Sequence, residues 1–235
     1  MLLPALGKAK ERALRANCIS NLKQIGVGVV IYAQDNNDIV PRNKFRDTNP
    51  TQYTYEAMRL DPPNQSVHNF GLLWTNKVIT APQVFYCPSG KRTVSNWNYD
   101  TYAQTGNWPF GSTETTIRVG YHFFPQSKTL QNLGPGLFLP EVKYDPADSS
   151  FRAPIKLSQI DPAKSMSTDL VHNLTSAGAA PHRDKDIAGV HAMFGDTHVA
   201  WQSAKRNAQA FTIAAQVGFA NDGLSFRKVM DLWTP

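Results

Sequence analysis

The chain reads as an α+β protein, and three features of the sequence predict it: one long amphipathic N-terminal stretch, short strand-like runs separated by turn residues, and one clear hairpin near the end. Strands do not alternate with helices, which argues against βαβ units. The chain has 15 glycines and 16 prolines in 235 residues, a content that predicts long loops rather than a helical bundle. Its 41% hydrophobic residues suffice for a packed core.

The first element is a helix from Pro4 to about Gln34. Leu14, Cys18, Leu22, Ile25, Val29 and Tyr32 recur at steps of four or three, a stripe of period near 3.6. Pro4 is tolerated in a first turn, where its missing N–H has no intrahelical use. Asp35-Asn36-Asn37-Asp38 and Pro41 end the helix. Its length of about 46 Å exceeds the width of a small domain, so one end is expected to project.

Residues 42–69 read as polar loop with a short helix around Tyr55–Leu60. Phe70–Ile79 reads as a short helix, and Val84-Phe85-Tyr86 as a short strand leading into a turn at Cys87-Pro88-Ser89-Gly90. Trp97, Tyr99, Tyr102, Trp108 and Phe110 sit among Asn, Thr and Gly in a loop. Strands follow at Ile117–Phe124 and Ser165–Val171, with a long connection at 134–151 between them. The hairpin pairs Ala188–Phe194 with His198–Gln202 around Gly195-Asp196-Thr197, and a late helix covers Asn207–Ala220. Residues 1–35 thus form a helix and 36–235 a head, together one structural domain.

Charge narrows the function classes. The formal net charge is +6. Lys8, Lys10, Arg12, Arg15 and Lys23 face only Glu11, so +4 of it falls in the first 23 residues, and no basic stripe interleaved with aromatics follows. This pattern points away from nucleic acid and toward lipid headgroups beside the helix start. No run reaches the roughly 20 apolar residues of a membrane span. Met1-Leu2-Leu3-Pro4-Ala5-Leu6 nevertheless enters the helix without a polar lead-in, as though an apolar segment preceded it.

The opening Met1-Leu2-Leu3-Pro4-Ala5-Leu6, with Lys8-Ala9-Lys10-Glu11-Arg12-Ala13, Arg15-Ala16-Asn17-Cys18 and Asn21-Leu22-Lys23-Gln24-Ile25-Gly26, resembles pilin-like, pseudopilin-type proteins just downstream of their cleaved apolar N-terminus. Phe85-Tyr86-Cys87-Pro88-Ser89 resembles the Cys-Pro segment of that group. Ala192-Met193-Phe194-Gly195-Asp196-Thr197-His198-Val199 resembles its C-terminal block, a histidine followed later by Asp-Gly, His and Val. Two departures stand out: Thr197 occupies a glycine position, and His182 lies further from Asp196 than the group's spacing. The resemblance implies a long N-terminal helix packed on an antiparallel sheet and upstream processing by a prepilin peptidase. It also implies anchoring in the inner membrane, with the head in the periplasm or outside the cell, and assembly with other pilin-like subunits of a type II secretion or pilus-like apparatus. The assembly residues are then Leu2, Leu3, Pro4 and Leu6.

Cys18 and Cys87 allow either one disulfide or two buried thiols. A bond would close a loop of about 69 residues and contribute on the order of 4 kcal/mol. The extracytoplasmic location implied by the resemblance favours the bond. Strand alternation places Val190, Ala192, Phe194, Val199 and Trp201 on the core face, and His191, Met193 and His198 outside. With Asp196-Thr197 as a two-residue turn, His191 and His198 stand about 13 Å apart, too far to share zinc; a slipped register would bring them to about 7–8 Å. No metal site is therefore expected there.

Asp35, Asn37 and Asp38 form an oxygen-rich turn that could hold calcium but lacks the glycine and terminal glutamate of an EF-hand, so no cofactor is expected. Asp184 and Asp186, beside His182 and Arg183, read as a solvated loop. No nucleophile elbow, phosphate-binding glycine loop, His-Glu-x-x-His helix or CxxC pair occurs, so the expectation is a structural protein rather than an enzyme. The rival reading is an extracytoplasmic glycan- or protein-binding module that uses Trp97, Tyr99, Tyr102 and Trp108.

Overall fold

The computed structural model describes residues 2–46, 49–60, 65–92, 98–103, 108–109, 115–128, 145, 147–148, 150–171, 181–183, 187–214 and 229–235. Helix α1 runs Leu2–Asp35, 34 residues and about 51 Å. Cys18, Leu22, Ile25, Val29 and Tyr32, five of the six stripe residues, are buried, and Leu14 is half-buried. Burial of each such side chain contributes about 1.5–3 kcal/mol. The helix stops where Asn37 and Asp38 turn left-handed, with φ of 55° and 68°.

Behind α1 stand antiparallel sheets. Strands β1 (Phe45–Arg46) and β2 (Asn49–Gln52) pair with each other, and β3 (Glu56–Arg59) lies between β4 (Ser66–Val67) and β5 (Thr116–Arg118). The main sheet contains β6 (Tyr121–Phe123), β7 (Ser165–Asp169), β8 (His182–Arg183), β9 (Ile187–Phe194) and β10 (Val199–Ser203), in the order β10-β9-β7-β6 with β8 also paired to β9. Short helices α2 (Gly71–Thr75), α3 (Tyr99–Tyr102) and α4 (Ala208–Ala214), with 3-10 turns at Pro82–Phe85, Pro88–Arg92 and Leu157–Gln159, are among the remaining elements. The α+β class is thus established, as a long helix with antiparallel sheets.

Three local readings change. Residues 56–59 form a strand rather than a helix, because β5 and β4 pair with both of its edges. Pro82–Phe85 is a 3-10 helix rather than a strand, started by Pro82 in its first turn. Ile117–Phe124 is not one strand: it breaks at Gly120, whose N–H donates to the Phe85 carbonyl, and β5 and β6 enter different sheets. A Cβ on Gly120 would lie 2.8 Å from the Cys87 nitrogen, so only glycine lets the Tyr86–Cys87 backbone approach this closely.

The hairpin turn also differs. Val199 pairs with Met193 and Trp201 with His191, so the turn holds three residues, Gly195, Asp196 and Thr197, with Thr197 left-handed at φ 70°. This one-residue shift moves Trp201 onto the face of His191 and puts His198 on the opposite face, stacked on Phe194 at 4.5 Å. Both faces of β9 are covered. Val190, Ala192 and Phe194 join Phe211 and Trp233 in one cluster, while Met193 packs into the cluster that includes the α1 stripe. The outward placement expected for His191 and Met193 is therefore corrected, since α1 covers the face that alternation alone left to solvent. No helix among the described residues is long and apolar enough to cross a membrane.

Candidate functional site: a buried acid and histidine cluster beside the disulfide

Where α1 crosses the main sheet, the last residue of β7 is a fully buried aspartate, Asp169. A carboxylate without water needs donors, and strands β8 and β9 supply them. Asp169 Oδ2 accepts from the His191 backbone N–H at 2.6 Å and faces His191 Nδ1 at 3.0 Å and His182 Nε2 at 3.2 Å. His182 is itself fully buried and reaches Glu11 Oε1 of α1 through Nδ1 at 3.1 Å. A ring whose two nitrogens both face carboxylates can donate from both when it carries its second proton.

Burial alone would lower the His182 pKa, but Asp169 and Glu11 outweigh it and raise it. Burial alone would likewise raise the Asp169 carboxyl, yet His191 and His182 hold it well below the usual carboxylate range. Tyr121, its neighbour across the sheet, is pushed well above the usual phenol range by burial and then by the Asp169 charge.

Trp201 closes the cluster from β10, with its ring 5.5 Å from that of His182 and 4.9 Å from that of His191. Gly189, opposite His182 in the sheet, leaves the indole its space, since an added Cβ would lie 2.6 Å from the ring. Arg15 lies 4.4 Å above the Trp201 ring and pairs with Glu11 at 3.3 Å. An unbroken chain of polar contacts thus runs Arg15–Glu11–His182–Asp169–His191 and binds the lower half of α1 to the sheet.

Cys18 and Cys87 are joined in a disulfide, and Cys87 Sγ lies 3.7 Å from His182 Nε2. Asn21 ties the same turn of α1 to the Tyr86 carbonyl at 3.0 Å. Together these contacts set the bond directly against the cluster.

The other sequence candidates are scattered. Leu2, Leu3 and Pro4 lie in α1, with side chains outside the described residues, and Leu6 is 67% exposed. Trp97 and Phe110 lie outside the described residues. Tyr102 and Trp108 are buried, which corrects their reading as presented faces: Trp108 donates to Tyr86 Oη at 2.9 Å and packs edge-on to Trp74. Tyr99 is half-buried, with its ring 5.9 Å from that of Tyr86. Asp38 is held by the Ser158 hydroxyl at 2.5 Å, a bond that ties the helix-ending turn to the 3-10 helix Leu157–Gln159. His198 bonds Asp196 within its own turn.

Sequence reading did not find Asp169, and it placed His182 in a solvated loop, which the burial of His182 corrects. The available signal was an aspartate closing an otherwise uncharged strand, Ser165-Met166-Ser167-Thr168-Asp169, in a chain with two further histidines near strands. No family model matches this chain, and comparisons with curated proteins and with solved structures find no significant match.

Proposed function

We propose that the chain is a structural, pilin-like subunit that works by packing, with its head on the extracytoplasmic side of the inner membrane and other pilin-like subunits of a secretion or pilus-like apparatus as its partners. The observation that carries this reading is the division of α1 into a docked stripe and a bare face. The stripe from Cys18 to Ala33 is buried in the head, whereas Ala5–Lys10 are all exposed. At 100° per residue, exposed Leu6, Val27 and Ile31, which are 67%, 55% and 42% accessible, fall within an arc of about 60°.

Large apolar side chains kept in water on a helix of this length, here interleaved with exposed Ser20 and Gln24, are what lateral helix packing uses. Beside it Ile19, Val27 and Ile31 line a groove of about 690 Å³ with Val78, Ile79 and Val84. Exposed Lys8, Lys10 and Arg12 lie at the end of the helix that this reading sets against lipid headgroups.

The test is a photo-crosslinking side chain at Val27, introduced into the full gene product in its native membrane. Crosslinked multimers containing pilin-like subunits, lost on Ile31→Asp, are expected. A pattern of monomers alone, with the protein present and folded, refutes the proposal.

A further inference from the structure

The corner between α1, the Cys87 turn and strand β8 gathers four potential metal ligands from four separate places in the sequence. One ligand atom each from Cys18, Cys87, Asp169 and His182 lie within 4.8 Å of one another, and all four residues are buried. In the disulfide form the two sulfurs are bonded to each other and are poor donors.

We propose that reduction of Cys18–Cys87 turns this corner into a binding site for Zn²⁺, held by the two thiolates, His182 Nε2 and a carboxylate oxygen of Asp169. The site is separate from the assembly reading of α1 and does not depend on it.

Geometry carries the assignment. Tetrahedral ligands about 2.0–2.3 Å from zinc stand about 3.3–3.8 Å from one another. His182 Nε2 is 3.2 Å from Asp169 Oδ2 and 3.7 Å from Cys87 Sγ, so two edges of that tetrahedron already have the right length. The two sulfurs must part once their bond is gone, and the other edges, all within 4.8 Å, settle to the same length around the ion. Cys₂HisAsp is a donor set of zinc type, with thiolates favouring it over magnesium or calcium.

The outer contacts fit as well. His182 Nδ1 is held by Glu11, the carboxylate partner that orients a metal-bound histidine. Asp169 Oδ2, the oxygen that faces His182, is oriented by the His191 N–H and Nδ1, while Oδ1 is buried and accepts no hydrogen bond among the described residues. Cys87 also lines a cavity of about 320 Å³ with Asn17, Asn21 and Asn98, which sets open space beside one ligand.

The reaction balances. A phosphine reductant takes the disulfide to two thiols and becomes the phosphine oxide, with its oxygen drawn from one water. The ion then displaces the two thiol protons and the Nε2 proton of His182, three protons in all.

The experiment is anaerobic titration of the phosphine-reduced full chain with Co²⁺, followed by Zn²⁺ competition, with near-ultraviolet circular dichroism tracking the fold. Expected are one equivalent of Co²⁺, thiolate charge-transfer and tetrahedral d–d absorption, displacement by Zn²⁺, and release of protons. The oxidised chain should show none of these. Glu11→Gln should weaken Zn²⁺ about tenfold while leaving the spectrum tetrahedral, and His182→Gln should weaken it beyond the roughly hundredfold limit of outer contacts. The proposal is overturned by the same absorption in the oxidised chain, by its absence from the reduced chain, by a spectrum that survives His182→Gln unchanged, or by a reduced chain whose lost fold Zn²⁺ does not restore.

Discussion

Replacing Asp169 by Asn, with the disulfide intact, removes the one buried negative charge between two histidines. Its Oδ2 takes contacts of 2.6, 3.0 and 3.2 Å. A hydrogen bond to a charged group contributes about 1.5–3 kcal/mol, and breaking a buried charge pair by removing one partner costs about 3–5 kcal/mol. Asn keeps an oxygen for part of the set, and His182 can shed its proton rather than remain an unpaired charge, so about 3 kcal/mol is expected at pH 5–6.

The pH dependence follows from the two shifts. The Asp169 pKa is depressed, so its contribution is present above the unfolded value near 3.9 and is lost as pH falls through the folded one. The His182 pKa is raised, so its contribution is full below the unfolded value near 6.5 and is lost as pH rises through the folded one. The difference between wild type and Asp169→Asn should therefore peak between about pH 4 and 6.5 and shrink on both sides. Urea unfolding followed by tryptophan fluorescence at several pH values measures it. A difference below about 1 kcal/mol at the peak, or one flat from pH 3 to 9, would refute the charge-pair account.

Three further outcomes are expected. Cys18→Ser combined with Cys87→Ser should lower stability by about 4 kcal/mol, read by calorimetry, because the lost bond spans 69 residues. Burial first, then Lys44 and Arg59, lowers the His68 pKa to about 3, so the unfolded state takes up a proton that the folded state refuses. Stability should fall by about 1 kcal/mol per pH unit on acidification from about 6.5 toward 3, and His68→Gln should flatten that slope in urea titrations. Thr197→Gly should raise stability by about 0.5–1 kcal/mol in thermal unfolding, since a β-branched residue at φ 70° is strained; an unchanged or lower midpoint would mean that Thr197 packing over Gly26 outweighs the strain.

Long-period signals were legible in the sequence, and contacts between distant segments were not. The α1 stripe was readable because five of its positions meet one continuous core. The hairpin was readable from alternation, but its register turned on whether Thr197 adopts a left-handed backbone, a conformation that threonine disfavours and glycine would have announced. That single residue decided the face of Trp201, and with it the wall of the candidate site. Pairing of Cys18 with Cys87 was foreseeable as one of two options. The cluster at Asp169 was not, because its members stand at positions 11, 169, 182 and 191 and meet only after α1 is laid across the sheet.

The covalent link between α1 and the head also sets a mechanical route. Tension applied to the amino-terminal end of α1 reaches Cys18 and passes through sulfur to Cys87, so it bypasses the intervening segment, which includes the rest of the helix and β1 to β4. Under load the helix cannot be peeled from the head beyond its fifth turn. Without the bond, a pull strong enough to strip the buried stripe of α1 from the core would put about 69 residues in series and release up to roughly 240 Å of chain, a length the disulfide withholds.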